Sequence, residues 1–488
     1  MVKGALCTLI LLGAAIAASA QSRDQNWDRC KADDPDTSIS GCTALLNSGQ
    51  ESTENQAIAH YDRGIAYHDK KQLEQAMQDL NEALRLKPDY ANALNTRGNV
   101  YSDMKEYDRA IEDYNEALRV DPNHSLAYYN RGNAYGHKND YSRAIEDYNQ
   151  YVKMAPDDAD GYNNRGHAYM VQGDYDKALA DFNQALRLNP NHELATFNRG
   201  VAYGDEGNYS QAADAYSQYI RLKANDPDGY NSRGGAYRHL GKYDEAIADY
   251  NHALQIDPKY SLAYYNRGLV YGRIGEYDSA LDDYNRYIGL QADDSDGFMQ
   301  RGLVYYEQGL YDKAIADFDK VNDLSPNNAM AYFNRGCAHL LQTQTSDAAA
   351  DFQLAIGASP SSQSAIYAAL WLHLAKNRLH QDDQSDLQRV AGKAKATDWP
   401  GPALNLYLGK ISADEVMSAA ANTDMQIQQE QMCEANFYTG EDALLHQRRT
   451  EAGMRFRAAR DGCPKAYVEY GAALAELKKL SAAPTAAK

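Results

Sequence analysis

The sequence predicts an all-α chain, a solenoid of helix-turn-helix repeats closed at each end by capping helices. Three observations predict it. The 488 residues exceed what one compact core commonly serves, so several domains or a repeat array are expected. Aromatic usage is skewed, with 39 Tyr beside 8 Phe and 3 Trp, as when one Tyr-bearing element is copied many times. The dipeptide Arg-Gly then recurs at Arg63, Arg97, Arg131, Arg165, Arg199, Arg233, Arg267, Arg301 and Arg335, every step being 34 residues.

Taken in order, the chain opens with Lys3, the apolar run Leu6 to Ala17 and the small trio Ala18-Ser19-Ala20, which predict a signal peptide over residues 1–20 with cleavage before Gln21. The run is too short to span a bilayer and no later stretch is long and apolar enough, so an exported, periplasmic chain with no integral membrane segment after cleavage is expected. Cys7 lies inside the run behind Gly4-Ala5-Leu6, unlike a lipid-attachment cysteine. Lys3 is the only charge removed, so the formal net charge moves from -19 to -20. Such a surface repels phosphates on average, which argues against a nucleic-acid partner.

Residues 21–56, with Trp27, Cys30 and Cys42, read as an N-terminal cap for the exposed end of a repeat array. The repeats run from Ala57 over residues 57–362, nine copies of 34, the ninth opening at Ala329. Gly98, Tyr101, Ala110, Tyr114, Ala117 and Pro122 mark the second copy, and on these positions the chain resembles the tetratricopeptide repeat (TPR) family. The resemblance implies a right-handed superhelix of antiparallel helix pairs. Gly at the eighth position and Ala at the twentieth let helix A and helix B of a repeat approach closely. Pro88, Pro122, Pro190, Pro258, Pro326 and Pro360 follow helix B, which they cannot continue.

Two polar positions depart from the apolar TPR pattern. Each Arg before Gly is followed sixteen residues later by Asp79, Asp113, Asp147, Asp181, Asp249, Asp283, Asp317 or Asp351, with Ala215 breaking the series in the fifth repeat. One residue on each helix of a hairpin predicts a partly buried ion pair bracing it, since a catalytic group is not needed nine times. The copies also alternate. Tyr151, Tyr219 and Tyr287 replace the small residue near the end of helix B, and each precedes a repeat carrying Gly161, Gly229 or Gly297, so large is expected to face small between neighbours. The acidic junctions Asp157–Asp160, Asp226–Asp228 and Asp293–Asp296 lack the ligand spacing of a calcium loop and are read as helix caps.

In TPR proteins helix A lines the concave groove, its fifth and ninth positions among the exposed ones. The resemblance therefore implies a groove for proteins or peptides lined by Tyr61, Asn95, Tyr129, Asn133, Asn163, Phe197, Asn231, Tyr265 and Phe333, with Arg238 and Arg273 positioned to receive acidic groups. The paired-lysine carboxylate clamp of chaperone-binding members is absent. No phosphate loop, His-Glu-x-x-His, Gly-x-Ser-x-Gly or Cys-x-x-Cys occurs, so no catalytic residue, metal site or cofactor is predicted.

Residues 363–432 read as a helical connecting region. The repeat pattern returns once at 433–466 through Gly440, Ala452, Phe456, Ala459 and Pro464, followed by a capping helix at 467–480 and a disordered tail at 481–488. In that register Cys433 opens helix A and Cys463 follows helix B. An antiparallel hairpin brings such ends together, so bridges Cys433–Cys463 and Cys30–Cys42 are expected, with Cys337 free. Leu370-Trp371-Leu372, Leu406-Tyr407-Leu408-Gly409, Glu434-Ala435-Asn436-Phe437-Tyr438-Thr439-Gly440 and Val468-Glu469-Tyr470 resemble the C-terminal part of the NlpI-type periplasmic adaptors. The resemblance covers roughly a quarter of the chain and implies a non-catalytic scaffold in cell-envelope or peptidoglycan homeostasis. Its implied partners are a periplasmic protease or cell-wall hydrolases. This chain departs from those proteins in lacking a lipid anchor and in having more repeats, and an exported module for secretion or polysaccharide assembly is the alternative.

Overall fold

The computed structural model describes residues 22–395, 397–464 and 467–482; the expected signal peptide and the tail beyond 482 lie outside them. Helix accounts for 78% of the chain, and no strand occurs among the described residues. The chain forms two compact bodies, one ending at Gly241 and the other beginning at Lys242.

The first body starts with a helix at 22–30 and the helix Pro35–Ser48, joined by the Cys30–Cys42 disulfide. Cys30, Cys42 and Leu45 pack on Ala59 of the first repeat, whose helix A begins at Thr53. Repeats then follow in strict alternation, for instance Ala91–Asp103 with Tyr107–Val120 and Ser125–His137 with Tyr141–Met154. Gly64 meets Leu80, whereas later eighth-position glycines sit under an aromatic ring: a Cβ on Gly98 would lie 2.5 Å from Tyr114, and one on Gly132 2.8 Å from Tyr148. The alternation of the copies is the same constraint between neighbours, since a Cβ on Gly161 or Gly229 would meet Tyr151 or Tyr219 at 2.7 and 2.9 Å. Those tyrosines also donate to Asp158 and Asp226 at 2.5 Å, and the same aspartates cap the next helix by accepting from the backbone N–H of Asp160 and Asp228.

The second body begins with helix B of the sixth repeat, Tyr243–Ile256, and carries repeats seven to nine, ending with Thr345–Ala358, and then Gln363–Arg378, Gln384–Ala391, Gly401–Tyr407 and Ala413–Ala419. Gly297 faces Tyr287 here as Gly161 faces Tyr151 above. The tenth repeat is a long helix Met425–Leu445 with Arg449–Gly462, and Gly440 faces Phe456 as Gly98 and Gly132 face their rings. Its helix A begins eight residues ahead of Cys433. The extra turns are the polar stretch Met425 to Met432, capped by Asp424, whose side chain accepts from the N–H groups of Gln426 and Ile427. Cys433 still pairs with Cys463, and Cys337 is free and buried. Closing that 30-residue span restricts the unfolded chain by about 3–4 kcal/mol on an entropic account. The last helix, Val468–Ala482, folds back to touch helix A of the ninth repeat, Ala329–Leu341. One continuous core therefore runs from Cys337 through Phe352, Trp371, Leu404 and Phe437 to Ala473.

The arginines bind more than the hairpin they belong to. In seven repeats Nε reaches Asp Oδ2 at 2.7–2.9 Å and Nη2 reaches Oδ1 at 2.5–2.8 Å, a bidentate fork from helix A to helix B. The remaining Nη1 reaches backwards to helix B of the preceding repeat: Arg97 to Asn81, Arg131 to Asn115, Arg165 to Asn149, Arg301 to Asn285 and Arg335 to Asp319. In the first repeat the cap supplies the acceptor, Thr43.

Where Ala215 replaces the aspartate, Arg199 holds Asn183 and Gln218, and its Nε–H is buried without a partner. Burial with no carboxylate beside it pulls this guanidinium below its ordinary value. Ala215→Asp should therefore stabilise the chain by about 1–2 kcal/mol in urea unfolding, whereas Asp147→Ala, which orphans Arg131, should destabilise by about 3 kcal/mol. A neutral or destabilising Ala215→Asp contradicts the bracing role.

Candidate partner-binding surface

The structure divides the expected groove residues by what they touch. Tyr129, Phe197 and Tyr265 are half-buried, their rings 4.8, 5.0 and 5.1 Å from Tyr151, Tyr219 and Tyr287 of the same hairpin. Tyr61 lies 4.8 Å from Tyr90, and Phe333 5.8 Å from Phe352.

Asn95 and Asn163 are buried, and their carbonyl oxygens accept from Asn130 and Asn198 of the next repeat at 3.0 and 3.1 Å. Asn133 accepts from the Tyr148 hydroxyl at 2.7 Å and from the Asn164 amide at 3.1 Å. Amides at these positions thus join neighbouring repeats, and Asn164 does so for the Tyr129 hydroxyl as well. Asn231 is half-buried. Arg238 sits half-buried at the end of Pro227–His239, its Nη2 directed to the His239 ring at 3.1 Å, while Arg273 is exposed near the end of Ser261–Ile274.

In the second body the fold-back of the last helix encloses a cavity of about 300 Å³ that the sequence did not reveal. Leu303, Met330, Phe333 and Val468 give it apolar walls, and Tyr306, Glu434 and Glu469 give it polar ones. Glu434 accepts from the Tyr367 hydroxyl at 3.0 Å and from the Trp399 indole N–H at 2.8 Å. Glu469 accepts from the Tyr438 hydroxyl at 3.0 Å. Both carboxyls are more than nine-tenths buried. The detectable signal was an acid set in an otherwise apolar run, Tyr467-Val468-Glu469-Tyr470 and Cys433-Glu434-Ala435, but nothing periodic links the two segments.

Models of the tetratricopeptide repeat match residues 95–159, 159–192, 195–226 and 262–294, and models of the TPR repeat match 64–105, 234–275 and 302–342. The chain is a tetratricopeptide repeat protein. No curated protein sequence matches it. Among solved structures it is similar to YrrB, described as a TPR protein with an unusual peptide-binding site, at 23% identity over 38% of this chain and 95% of that one, with a TM-score of 0.34. A tetratricopeptide repeat protein from Parabacteroides merdae ATCC 43184 is 21% identical over 52% of this chain and 98% of its own, with a TM-score of 0.41. PilW, described as a type IV pilus biogenesis factor, is 20% identical over 42% and 94%, with a TM-score of 0.39. As a tetratricopeptide repeat chain by its family matches, it is a scaffold for protein–protein interactions, and no described helix is long and apolar enough to cross a membrane.

The buried acids of the TPR chain's second body carry a pH signature. Burial beside Glu469 pushes the Glu434 carboxyl up to about 8, and burial raises Glu469 as well. The groups facing them are Tyr367, Trp399, Glu430 and Tyr467 around Glu434, and Tyr438, Trp371, Cys337 and Tyr306 around Glu469. All are neutral or acidic. Glu441, buried against Arg378, is also raised, to about 7. Unfolded glutamates titrate near 4.3, so the folded form holds protons the unfolded form releases. This preference is complete below about pH 4.3 and is lost as pH rises to about 8. Trp371 and Trp399 report on this body, and their thermal transition should fall between pH 5 and 8.5, with a shallower fall in Glu434→Gln. A wild-type midpoint that rises across that range contradicts the assignment.

Proposed function

We propose that the chain is an exported, periplasmic TPR adaptor that holds protein partners along its repeats in cell-envelope or peptidoglycan homeostasis. The observation that carries the export reading is the disposition of the cysteines. Cys30–Cys42 closes one cap and Cys433–Cys463 the other, while the fifth, Cys337, is buried within the array. Bridges at both ends persist in an oxidising compartment. In the same reading Lys3, Leu6 to Ala17 and Ala18-Ser19-Ala20 are the export signal.

The envelope role draws on the segments that resemble NlpI-type adaptors. Leu370-Trp371-Leu372, Phe437-Tyr438 and Glu469 are buried, the first two groups in the core that continues beyond the ninth repeat. The half-exposed rings of Tyr129, Phe197 and Phe333 supply apolar contact for a partner segment.

Affinity capture of the tagged full chain from a periplasmic fraction, with N-terminal sequencing of the recovered protein, tests both parts. The expected result is a chain beginning at Gln21 that brings down a periplasmic protease or wall hydrolase. Recovery of secretion or polysaccharide-assembly components would support the alternative role, and a cytoplasmic chain retaining Met1 would overturn the location.

A further inference from the structure

Most buried carboxylates among the described residues face a basic side chain. The repeat aspartates take arginine forks, Glu51 takes Arg23, Asp383 takes His373, Asp442 takes Arg448, and Arg378 serves Glu441 and Glu476. Glu434 and Glu469 are different. They are among the most buried acids, at 7% and 4% exposure, they stand close enough to oppose each other's ionisation, and the donors that meet them are two phenols and an indole. No lysine, arginine or histidine is among the described residues lining the cavity they share.

A second observation points the same way. Tyr306, on helix A of the eighth repeat, is among the residues lining this cavity, and its hydroxyl, near Glu469, is sealed from solvent with no hydrogen-bond partner. A phenol buried in this state costs about 1–3 kcal/mol relative to a paired one, so it is a vacant acceptor beside two underused carboxyls. Met330, Phe333, Leu303 and Val468 add apolar lining beside the polar Glu307 and Asn334, and Met330 is 53% exposed.

An occupant that satisfies all of this has an apolar stem and a head that donates hydrogen bonds and carries positive charge. An anion meets no basic partner among the described lining residues, and a wholly apolar group leaves Tyr306 and the acid pair as they are. Arginine has three methylenes and a planar fork of five donors suited to two carboxylates and an acceptor; lysine has the stem but a single, more strongly hydrated head. We propose that the cavity between repeats eight and nine and the last helix is a specificity pocket for a cation-tipped side chain, arginine before lysine, presented by a protein partner. The proposal rests on the partner-binding reading above and not on where the protein resides. Entry of the cation takes over the role of the proton held by the Glu434–Glu469 pair, so binding releases a proton to solvent.

Calorimetric titration of the full chain tests it, with an acetylated, amidated pentapeptide carrying one central arginine between leucines, and its lysine and citrulline counterparts. The arginine peptide should bind at least about tenfold tighter than the citrulline peptide, which differs only in charge and one donor group. The preference should vanish in Glu434→Gln and in Glu469→Gln, which mimic the protonated acids and leave the core intact. Met330→Arg, at an exposed rim position, should place the chain's own cation in the pocket and abolish binding. Titration in two buffers of different ionisation enthalpy should show proton release. Equal binding of the citrulline peptide, an arginine preference that survives Glu434→Gln, or no binding up to about 1 mM overturns the pocket. Capture of the same cellular partner by wild type and Glu434→Gln alike would also overturn it while leaving the adaptor reading standing.

Discussion

In the repeats with a complete fork, one rigid guanidinium ties helix A to two other helices. Two donors hold the aspartate sixteen residues ahead on its own helix B, and a third holds the asparagine sixteen residues behind on the previous helix B, as in Asn115–Arg131–Asp147. A point charge could not do this, because the three acceptors lie in different directions around one plane. The interaction is not a simple source of stability. Burial raises Asp147 and Asp283 above the ordinary carboxylate range in spite of the guanidinium beside them, whereas Asp79, which His60 also contacts, is lowered. Desolvation and pairing thus come close to cancelling, and what remains is a heavy cost for misplacing either partner. The fork fixes how each hairpin sits on its predecessor, and the glycine–aromatic contacts can then close without voids.

That division explains what could be read from residue order. A local constraint repeated nine times leaves a period, so the helix pairs, the arginine–aspartate pairing and the opposition of Tyr151 to Gly161 were all legible. The backward reach to Asn81, Asn115 and Asn149 was not, because an asparagine on helix B has many roles and only geometry selects this one. Asn95 and Asn163 read as groove residues from their position on helix A, yet a sixth-position asparagine of the next repeat covers them. Aromatics and amides alternate at the fifth position because two packing solutions alternate there.

The C-terminal region was legible where it repeated and opaque where it did not. Gly440, Phe456 and the two cysteines placed the tenth hairpin. The return of the last helix to Cys337 and Leu341 had no periodic trace, since such a contact depends on the path of residues 363–432. The path is held by a line of aromatics, with Trp371 6.5 Å from Phe352 and 5.3 Å from Phe437, which continues the stacking of the repeats into the non-repeating part. The repeats present a repetitive surface, and the second body adds the cavity between repeats eight and nine and the last helix. The first is suited to contact area and the second to selection among partners.

The arginine fork locks one hairpin to the next, and the fifth repeat naturally omits half of it. Native-state hydrogen exchange on the intact chain reads this directly, since all the relevant helices lie in one body. Amides of Tyr209–Leu222, where Ala215 leaves Arg199 unpaired, should exchange faster than their counterparts in Tyr141–Met154 and Tyr175–Leu188, where the fork is complete. Equal or slower exchange in Tyr209–Leu222 would contradict the claim that the fork, and not the glycine–aromatic packing alone, sets the rigidity of the array.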